Sequence, residues 1–99
     1  MPFKVLIADR ADRVLDDLEH NPAFAAKYRK VVKALRLLAE NPRHPGLNVH
    51  LYHSKTGPGG EPVWEAYVEN RTPGAWRIWF WYGPDRNELT ILAIGPHPD

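Results

Sequence analysis

The chain has 99 residues, a formal net charge of +1 and no cysteine. This length suits a single domain, residues 1–99, and the absence of cysteine excludes disulfides and thiolate metal sites. A hydrophobic share of 43% and a charged share of 25% are those of an ordinary globular protein, which excludes an intrinsically disordered chain.

The N-terminal residues predict a strand rather than a membrane segment. Residues 3–8, FKVLIA, are apolar and partly β-branched, as in a strand. This apolar run is too short for the core of a signal peptide and for a membrane span. We therefore expect a soluble, cytoplasmic protein that has no membrane partner.

Two helices are predicted next. Asp9 is expected to cap the first helix, which ends at Asn21 and Pro22. The second helix ends near Asn41, where the sequence NPRHPG breaks it. Its apolar stripe, at steps of three and four residues, consists of Phe24, Tyr28, Val31, Val32, Leu35, Leu38 and Ala39. Because one or two residues link the helices, they are expected to form an antiparallel hairpin.

The second helix is also the most basic part of the chain. Residues 22–41 hold five Lys or Arg residues and one acidic residue. Residues 1–47 hold nine basic and six acidic residues, a net charge of +3, whereas residues 48–99 hold four and six, a net charge of −2. Such a helix can bind a polyanion or an acidic peptide, or it can simply present a solvated face.

Four strands are predicted in the second half of the chain, at about residues 48–54, 63–69, 76–82 and 88–94. The segments between them are short and rich in turn-forming residues, so the strands should form an antiparallel meander. The complete order is β-α-α-β-β-β-β. This order predicts an α+β fold in which the helical hairpin packs on one face of the sheet.

Alternation along the strands places charge among tryptophans on one face of the sheet. The face toward the helices is expected to carry Trp64, Ala66, Val68, Trp76, Ile78 and Phe80. The opposite face carries Glu65, Tyr67, Glu69, Arg77, Trp79 and Trp81, with His50 and Tyr52 as further candidates. Since two helices cover only one face, we expect the second face to be open, where it can stack unpaired bases and hold a phosphate.

Together these features resemble the RelE/ParE superfamily of bacterial toxins from type II toxin–antitoxin pairs. The similarity covers nearly the whole chain: the order of elements, the helix-ending ENPRHPGL, the strands VWEAYV and AWRIWFWY, and the near-terminal histidine of LAIGPHPD. The resemblance implies an endonuclease that cleaves mRNA, on the ribosome or free, without a metal or cofactor. It also implies that a cognate antitoxin wraps and neutralises the protein.

The resemblance assigns three catalytic candidates. Arg77 matches the arginine that the cleaving branch sets against the scissile phosphate, and the alternative is a salt bridge to Glu65 or Glu69. His97 takes the place of a near-terminal histidine or tyrosine that transfers a proton, and the alternative is a frayed tail. Glu65 is a candidate base, a positioner of Arg77 or a strand-pairing residue. The tyrosine that often follows the histidine position in cleaving relatives is absent here.

RNA contacts are expected at residues that flank these candidates: Arg71, His50, His53, Lys55, Trp79 and Trp81. Solvated surface roles are the alternative for the basic residues. Antitoxin binding, a dimer interface or simple strand packing are the alternatives for the tryptophans. No metal site is predicted, because His50 and His53 lie three apart on a strand and point to opposite faces.

Two further hypotheses fit the same sequence. The ParE branch of the superfamily has the same fold, poisons DNA gyrase and needs none of the catalytic groups. A non-catalytic member would use the exposed face only to bind a partner protein. The sequence specifies neither the identity of the antitoxin nor the oligomeric state.

Overall fold

The computed structural model describes residues 2–98, which form two helices and a five-stranded sheet. The elements are β1 (Lys4–Ile7), α1 (Asp9–His20), α2 (Ala25–Glu40), β2 (His50–Thr56), β3 (Pro62–Tyr67), β4 (Trp76–Tyr82) and β5 (Glu88–Pro96). Short 3₁₀ turns, Pro22–Phe24 and Pro45–Leu47, precede α2 and β2. This order confirms the predicted α+β fold.

The strands lie in the order β1-β5-β4-β3-β2. Neighbours from β2 to β5 are antiparallel, which confirms the predicted meander. Strand β1 joins the sheet parallel to β5. The strands from β2 to β5 are joined by short turns and therefore run antiparallel. Strands β1 and β5 are separated by the two helices and three strands, and this long connection permits a parallel pair. The sheet is therefore mixed, and β1 and β2 form its two edges.

The main core lies between the sheet and the helical hairpin. It contains Leu18 from α1, Val31 and Leu38 from α2, and Ile78 and Phe80 from β4, all buried. The strand residues are those that alternation assigned to the helix side. One part of the apolar stripe is wrong: Phe24 is about half exposed, because it belongs to the 3₁₀ turn that precedes α2.

The helix ends follow the turn-forming residues. Asp9 is not the cap of α1; the N-cap is Ala8, and Asp9 lies in the first turn, where a carboxylate favours the helix dipole. Asn21 accepts a 3.0 Å hydrogen bond from the Ala23 N–H, and Asn41 follows the last residue of α2. Within residues 2–98, neither helix has the length and apolar character needed to cross a membrane.

The second face of the sheet is not open, contrary to the expectation from the helix count. Trp79 and Trp81 are only 4% and 8% exposed and form a small second core with Val63. The ring of Tyr52 lies 5.6 Å from that of Trp79, and the ring of Trp81 lies against Gly83. The indoles cover their own sheet because burying such large rings is favourable. They therefore leave little ring surface on which a base can stack.

A bulge reverses the predicted position of Glu69. The N–H groups of Val68 and Glu69 both donate to the carbonyl oxygen of Trp76, at 3.1 Å each. The extra residue breaks the alternation after β3, so the Glu69 side chain lies on the helix side of the sheet. There its carboxylate lies 2.6 Å from Lys27 Nζ and 3.3 Å from Lys30 Nζ.

Candidate functional site

A buried carboxylate is the centre of the polar groups on the second face. Glu65 is 2% exposed. Its Oε1 lies 3.0 Å from His50 Nε2 and 3.7 Å from Arg77 Nε. Its Oε2 accepts a 2.8 Å hydrogen bond from Trp79 Nε1 and lies 3.5 Å from His97 Nε2. We call these five residues the Glu65 cluster; it brings all three catalytic candidates together.

Strand register places the members of the cluster. Glu65 lies between its cross-strand neighbours His50 on β2 and Trp79 on β4, and Arg77 pairs with Tyr67. His97 follows the last residue of β5, and its N–H donates a 2.9 Å hydrogen bond to the Ala75 carbonyl oxygen. The chain is thus paired at His97 rather than frayed, which keeps the imidazole beside Glu65.

Arg77 is fixed in orientation but keeps unused donors. Its Nη1 donates to the carbonyl oxygens of Glu69 and Trp76, and its guanidinium lies over the ring of Tyr67, 3.7 Å from the ring centroid. The Nε is buried without a hydrogen-bond partner, and Nη2 makes no hydrogen bond within residues 2–98. Alternation along the strand predicted that Tyr67 lies on the same face as Arg77, but no feature of the sequence indicated that the two side chains stack.

His50 is held between two acceptors. Its Nδ1 lies 2.7 Å from the Asn48 carbonyl oxygen, and its Nε2 lies 3.0 Å from Glu65 Oε1. A neutral imidazole can donate to only one of these oxygens, whereas the imidazolium donates to both. The two oxygens therefore fix the orientation of the His50 ring. The contact with Asn48 depends on the path of the loop before β2 and could not be predicted from the sequence.

The charges of the cluster explain why a carboxylate can be buried here. An unpaired buried carboxylate is strongly unfavourable, and the permanent charge of Arg77 lies beside Glu65. With neutral imidazoles the cluster has no net charge, and each protonated histidine adds one positive charge. The side chains of His50 and His97 are 44% and 36% exposed, so a solvent-borne anion can reach both imidazoles.

The other predicted RNA contacts are spread around the cluster. Lys55 lies with its Nζ 5.9 Å from the Trp79 ring centroid. It lines a cleft of about 330 Å³ together with Arg10, Tyr52 and Pro96. His53 is exposed on β2 and Arg71 is exposed in the β3–β4 turn, and within residues 2–98 neither makes an ion pair with the cluster.

Among the residues that the structure describes, one group of side chains has a spacing compatible with a metal ion. Asp16, Glu19 and His20 are exposed on α1 and have ligand atoms within 4.8 Å of one another. His20 Nδ1 is already 2.9 Å from the carbonyl oxygen of Asp16. None of the histidines considered from the sequence belongs to this group. Exposed acidic groups of this kind are common on helices, and the group lies outside the Glu65 cluster.

No protein-family model and no curated protein matches the sequence. The structure, in contrast, is similar to a chain in the crystal structure of the archaeal RelE–RelB complex from Pyrococcus horikoshii OT3. The TM-score is 0.66, the sequence identity is 18%, and the match covers 97% of this chain and 96% of that chain. The chain therefore has a RelE-like fold over nearly its whole length.

Proposed function

We propose that residues 1–99 are the toxin domain of a type II toxin–antitoxin pair, and that this toxin inhibits translation in the cytoplasm by cleaving mRNA on the ribosome. The observation that supports this most strongly is the meeting of Arg77 and His97 at the buried carboxylate of Glu65, on a RelE-like fold. A permanent cation and a titratable imidazole are the groups that metal-independent phosphodiester cleavage requires.

The proposed reaction is an internal transfer at phosphorus. The 2′-oxygen of the nucleotide before the cleavage point forms a bond to the adjacent phosphorus, while the bond from phosphorus to the 5′-oxygen of the next nucleotide breaks. One proton leaves the 2′-hydroxyl and one is delivered to the departing 5′-oxygen. The products are a 2′,3′-cyclic phosphate and a new 5′-hydroxyl end.

Arg77 and His97 have separate tasks in this reaction. The unused Nη2 of Arg77 donates to the phosphate oxygens and stabilises the charge that develops on them, while the buried Nε stays beside Glu65. His97, which is partly exposed, transfers a proton at the reacting phosphate. Both groups are held by the same carboxylate, so their separation is fixed before RNA arrives.

Glu65 acts as a positioning residue rather than as the base. It is buried, and both of its oxygens already face donors within the cluster. A carboxylate in this position orients the imidazoles and balances the charge of Arg77. The structural alternative for Arg77, an ion pair with Glu65, thus coexists with the proposed contact to phosphate.

A cognate antitoxin is the proposed protein partner. The similar structure from Pyrococcus horikoshii OT3 is that of a RelE–RelB complex, which means that the RelE-like fold there is bound to a second protein. We propose that this chain likewise has an antitoxin, which covers the Glu65 cluster when the toxin is neutralised.

The first test is growth after tightly induced expression, with the 5′ ends of cellular mRNA mapped. The wild type is compared with Arg77→Ala and with Arg86→Ala, a matched change at an exposed arginine in the β4–β5 turn. We expect growth arrest and new internal 5′-hydroxyl ends for the wild type and Arg86→Ala, and neither for Arg77→Ala. Protein levels and thermal midpoints of all three show whether Arg77→Ala is folded.

The other outcomes identify the alternative functions. If the wild type arrests growth without new mRNA ends, and a folded Arg77→Ala variant arrests growth equally, the protein would belong functionally to the gyrase-directed branch. No arrest with a soluble, folded wild type would leave a protein that only binds a partner. Either result would overturn the assignment of Arg77 and His97 to catalysis.

A further inference from the structure

A groove lies on the helix side of the sheet. It has a volume of about 550 Å³ and lies between α2, the Pro45–Leu47 turn and the segment that follows β3. Tyr67 is one of the residues that line it. Because the guanidinium of Arg77 lies over the ring of the same residue, Tyr67 is shared by the groove and the surroundings of the proposed phosphate-binding group. We call it the Lys33 groove.

The rim of the Lys33 groove carries polar groups that have no partner in the described part of the chain. Lys33, Asn70 and Thr72 line the groove, and within residues 2–98 their side chains make no hydrogen bond or ion pair. His44 also lines it; its Nδ1 accepts a 3.0 Å hydrogen bond from the Gly46 N–H, so Nε2 is the nitrogen that can carry a proton and donate. The rim therefore offers mainly donors, as an anion requires.

The only carboxylate among the groove residues is already neutralised. Glu69 lines the groove, but its oxygens contact Lys27 and Lys30 and accept a 3.1 Å hydrogen bond from the Trp76 N–H. Lys33 takes part in none of these contacts, and no acidic side chain among residues 2–98 forms an ion pair with it. An anion that enters the groove meets a net positive rim.

The floor of the groove is apolar. Ala34 and Leu47 are buried there, and Leu37 and Val68 are partly exposed. A concave apolar floor with a few polar groups at its rim is the usual form of a site for a small planar ligand, and about 300–1,000 Å³ is the usual size. A nucleotide combines the two required parts, a base with apolar faces and an anionic phosphate.

We propose that the Lys33 groove binds the nucleotide next to the scissile phosphate, with its base on Leu37 and Val68 and its outer phosphate at Lys33. This inference rests on the proposed RNA cleavage. RNA fits better than a run of acidic side chains, because Tyr67 both lines the groove and contacts Arg77, and because an aspartate or glutamate side chain has no planar apolar part to cover the floor.

Binding to non-cleavable single-stranded oligonucleotides, fully 2′-O-methylated and increasing one nucleotide at a time, tests the proposal. Fluorescence anisotropy gives Kd at several salt concentrations for the wild type, Lys33→Ala and the control Lys4→Ala. Lys4 is an exposed lysine on β1, at the opposite edge of the sheet. We expect Lys33→Ala to raise Kd about fivefold, equivalent to roughly 1 kcal/mol, and Lys4→Ala to leave it unchanged.

The salt dependence gives a second readout. For one lost phosphate contact on a single strand, the slope of log Kd against log salt concentration should fall by about 0.7 in Lys33→Ala. As the oligonucleotide is lengthened, the affinity of the wild type should increase once a nucleotide reaches the Lys33 groove. This increase should be absent in Lys33→Ala. Equal effects of Lys33→Ala and Lys4→Ala on Kd and slope would overturn the proposal.

Two comparisons separate this inference from its rivals. If a polyglutamate peptide binds in a manner that depends on Lys33 while the oligonucleotides do not, the groove takes an acidic protein segment and the proposal is wrong. If wild-type protein binds oligonucleotides through Lys33 but cleaves no mRNA, the proposed catalysis fails while the nucleotide site stands. If the wild-type protein cleaves mRNA but Lys33→Ala binds the oligonucleotides like the wild type, the nucleotide site in the Lys33 groove is wrong while the proposed catalysis stands.

Discussion

The indole Nε1 of Trp79 donates a 2.8 Å hydrogen bond to Oε2 of Glu65, and both side chains are buried. This bond fixes the plane of the carboxylate. Oε1 is thereby directed toward His50 and Arg77, while Oε2 also lies beside His97. Trp79 is thus a positioning residue of the proposed site. The sequence instead predicts that Trp79 is exposed on an open sheet face and stacks on RNA bases.

Replacing Trp79 with Phe should destabilise the protein by about 1–3 kcal/mol beyond the loss of ring area, because a buried acceptor loses its donor. Cleavage should fall as well, since the carboxylate is no longer oriented. Trp81→Phe is the matched control: the Nε1 of Trp81 is buried without a hydrogen-bond partner, so its removal breaks no bond. Chemical denaturation of both variants measures the difference. Equal losses of stability would show that the bond to Glu65 contributes nothing.

Tyr67 should matter to the proposed reaction through its ring and not through its hydroxyl. The Arg77 guanidinium lies 3.7 Å from the ring centroid, an arrangement that stabilises by about 0.5–2 kcal/mol. Tyr67→Phe keeps this contact, so we expect cleavage close to wild type. Tyr67→Leu removes it and should lower the cleavage rate about tenfold, the effect of roughly 1.4 kcal/mol. Similar rates for the two variants would contradict this role for the ring.

Alternation along the strands was sufficient to predict much of the site. It placed Glu65, Arg77 and Trp79 on one face, and the structure confirms that they meet. It failed at Glu69, because a bulge adds a residue after β3 and a pattern of period two cannot show where a bulge occurs. The burial of Trp81 was missed for a different reason: the count of helices does not show that large side chains can cover their own sheet.

Contacts that depend on tertiary structure were also beyond the sequence. The position of His97 depends on the pairing of its N–H with Ala75, and the Lys33 groove depends on how α2 lies against the segment after β3. The basic character of α2 was visible, but the sequence did not show that Glu69 neutralises Lys27 and Lys30, whereas no acidic side chain among residues 2–98 forms an ion pair with Lys33.

Gly83 should be one of the least replaceable glycines of the chain. Its φ of +144° is rare for other residues, and an added Cβ would collide with the six-membered ring of Trp81. Gly83→Ala should therefore cost more than the roughly 1–2 kcal/mol of backbone strain, because overpacking adds about 1–3 kcal/mol. Gly74→Ala is the control, since Gly74 has a φ of +63° and nothing within 4 Å of an added Cβ. Thermal denaturation that shows equal losses would contradict the collision.

Glu69 provides a prediction that depends on pH. Burial by itself raises the pKa of this carboxyl, but the hydrogen bonds from Lys27, the Trp76 N–H and Lys30 outweigh burial and hold the pKa below its ordinary value of 4.5. The unfolded chain therefore binds a proton at a higher pH than the folded chain does. The resulting stabilisation is fully present above about pH 4.5 and is lost as the pH falls through the folded-state pKa.

Glu69→Gln removes this titration while keeping the shape of the side chain. At pH 7 the variant should be less stable than the wild type by about 1–2 kcal/mol. This is at or below the low end of the range of about 1.5–3 kcal/mol for hydrogen bonds to charged groups, because Lys30 is half exposed and solvent screens its charge. The difference should persist down to about pH 4.5 and shrink below it, as the wild type loses its advantage. Urea denaturation at a series of pH values measures both curves, with Glu40→Gln on the exposed C-terminal end of α2 as the control. A difference that stays constant down to pH 3 would show that the ion pairs of Glu69 do not stabilise the folded state.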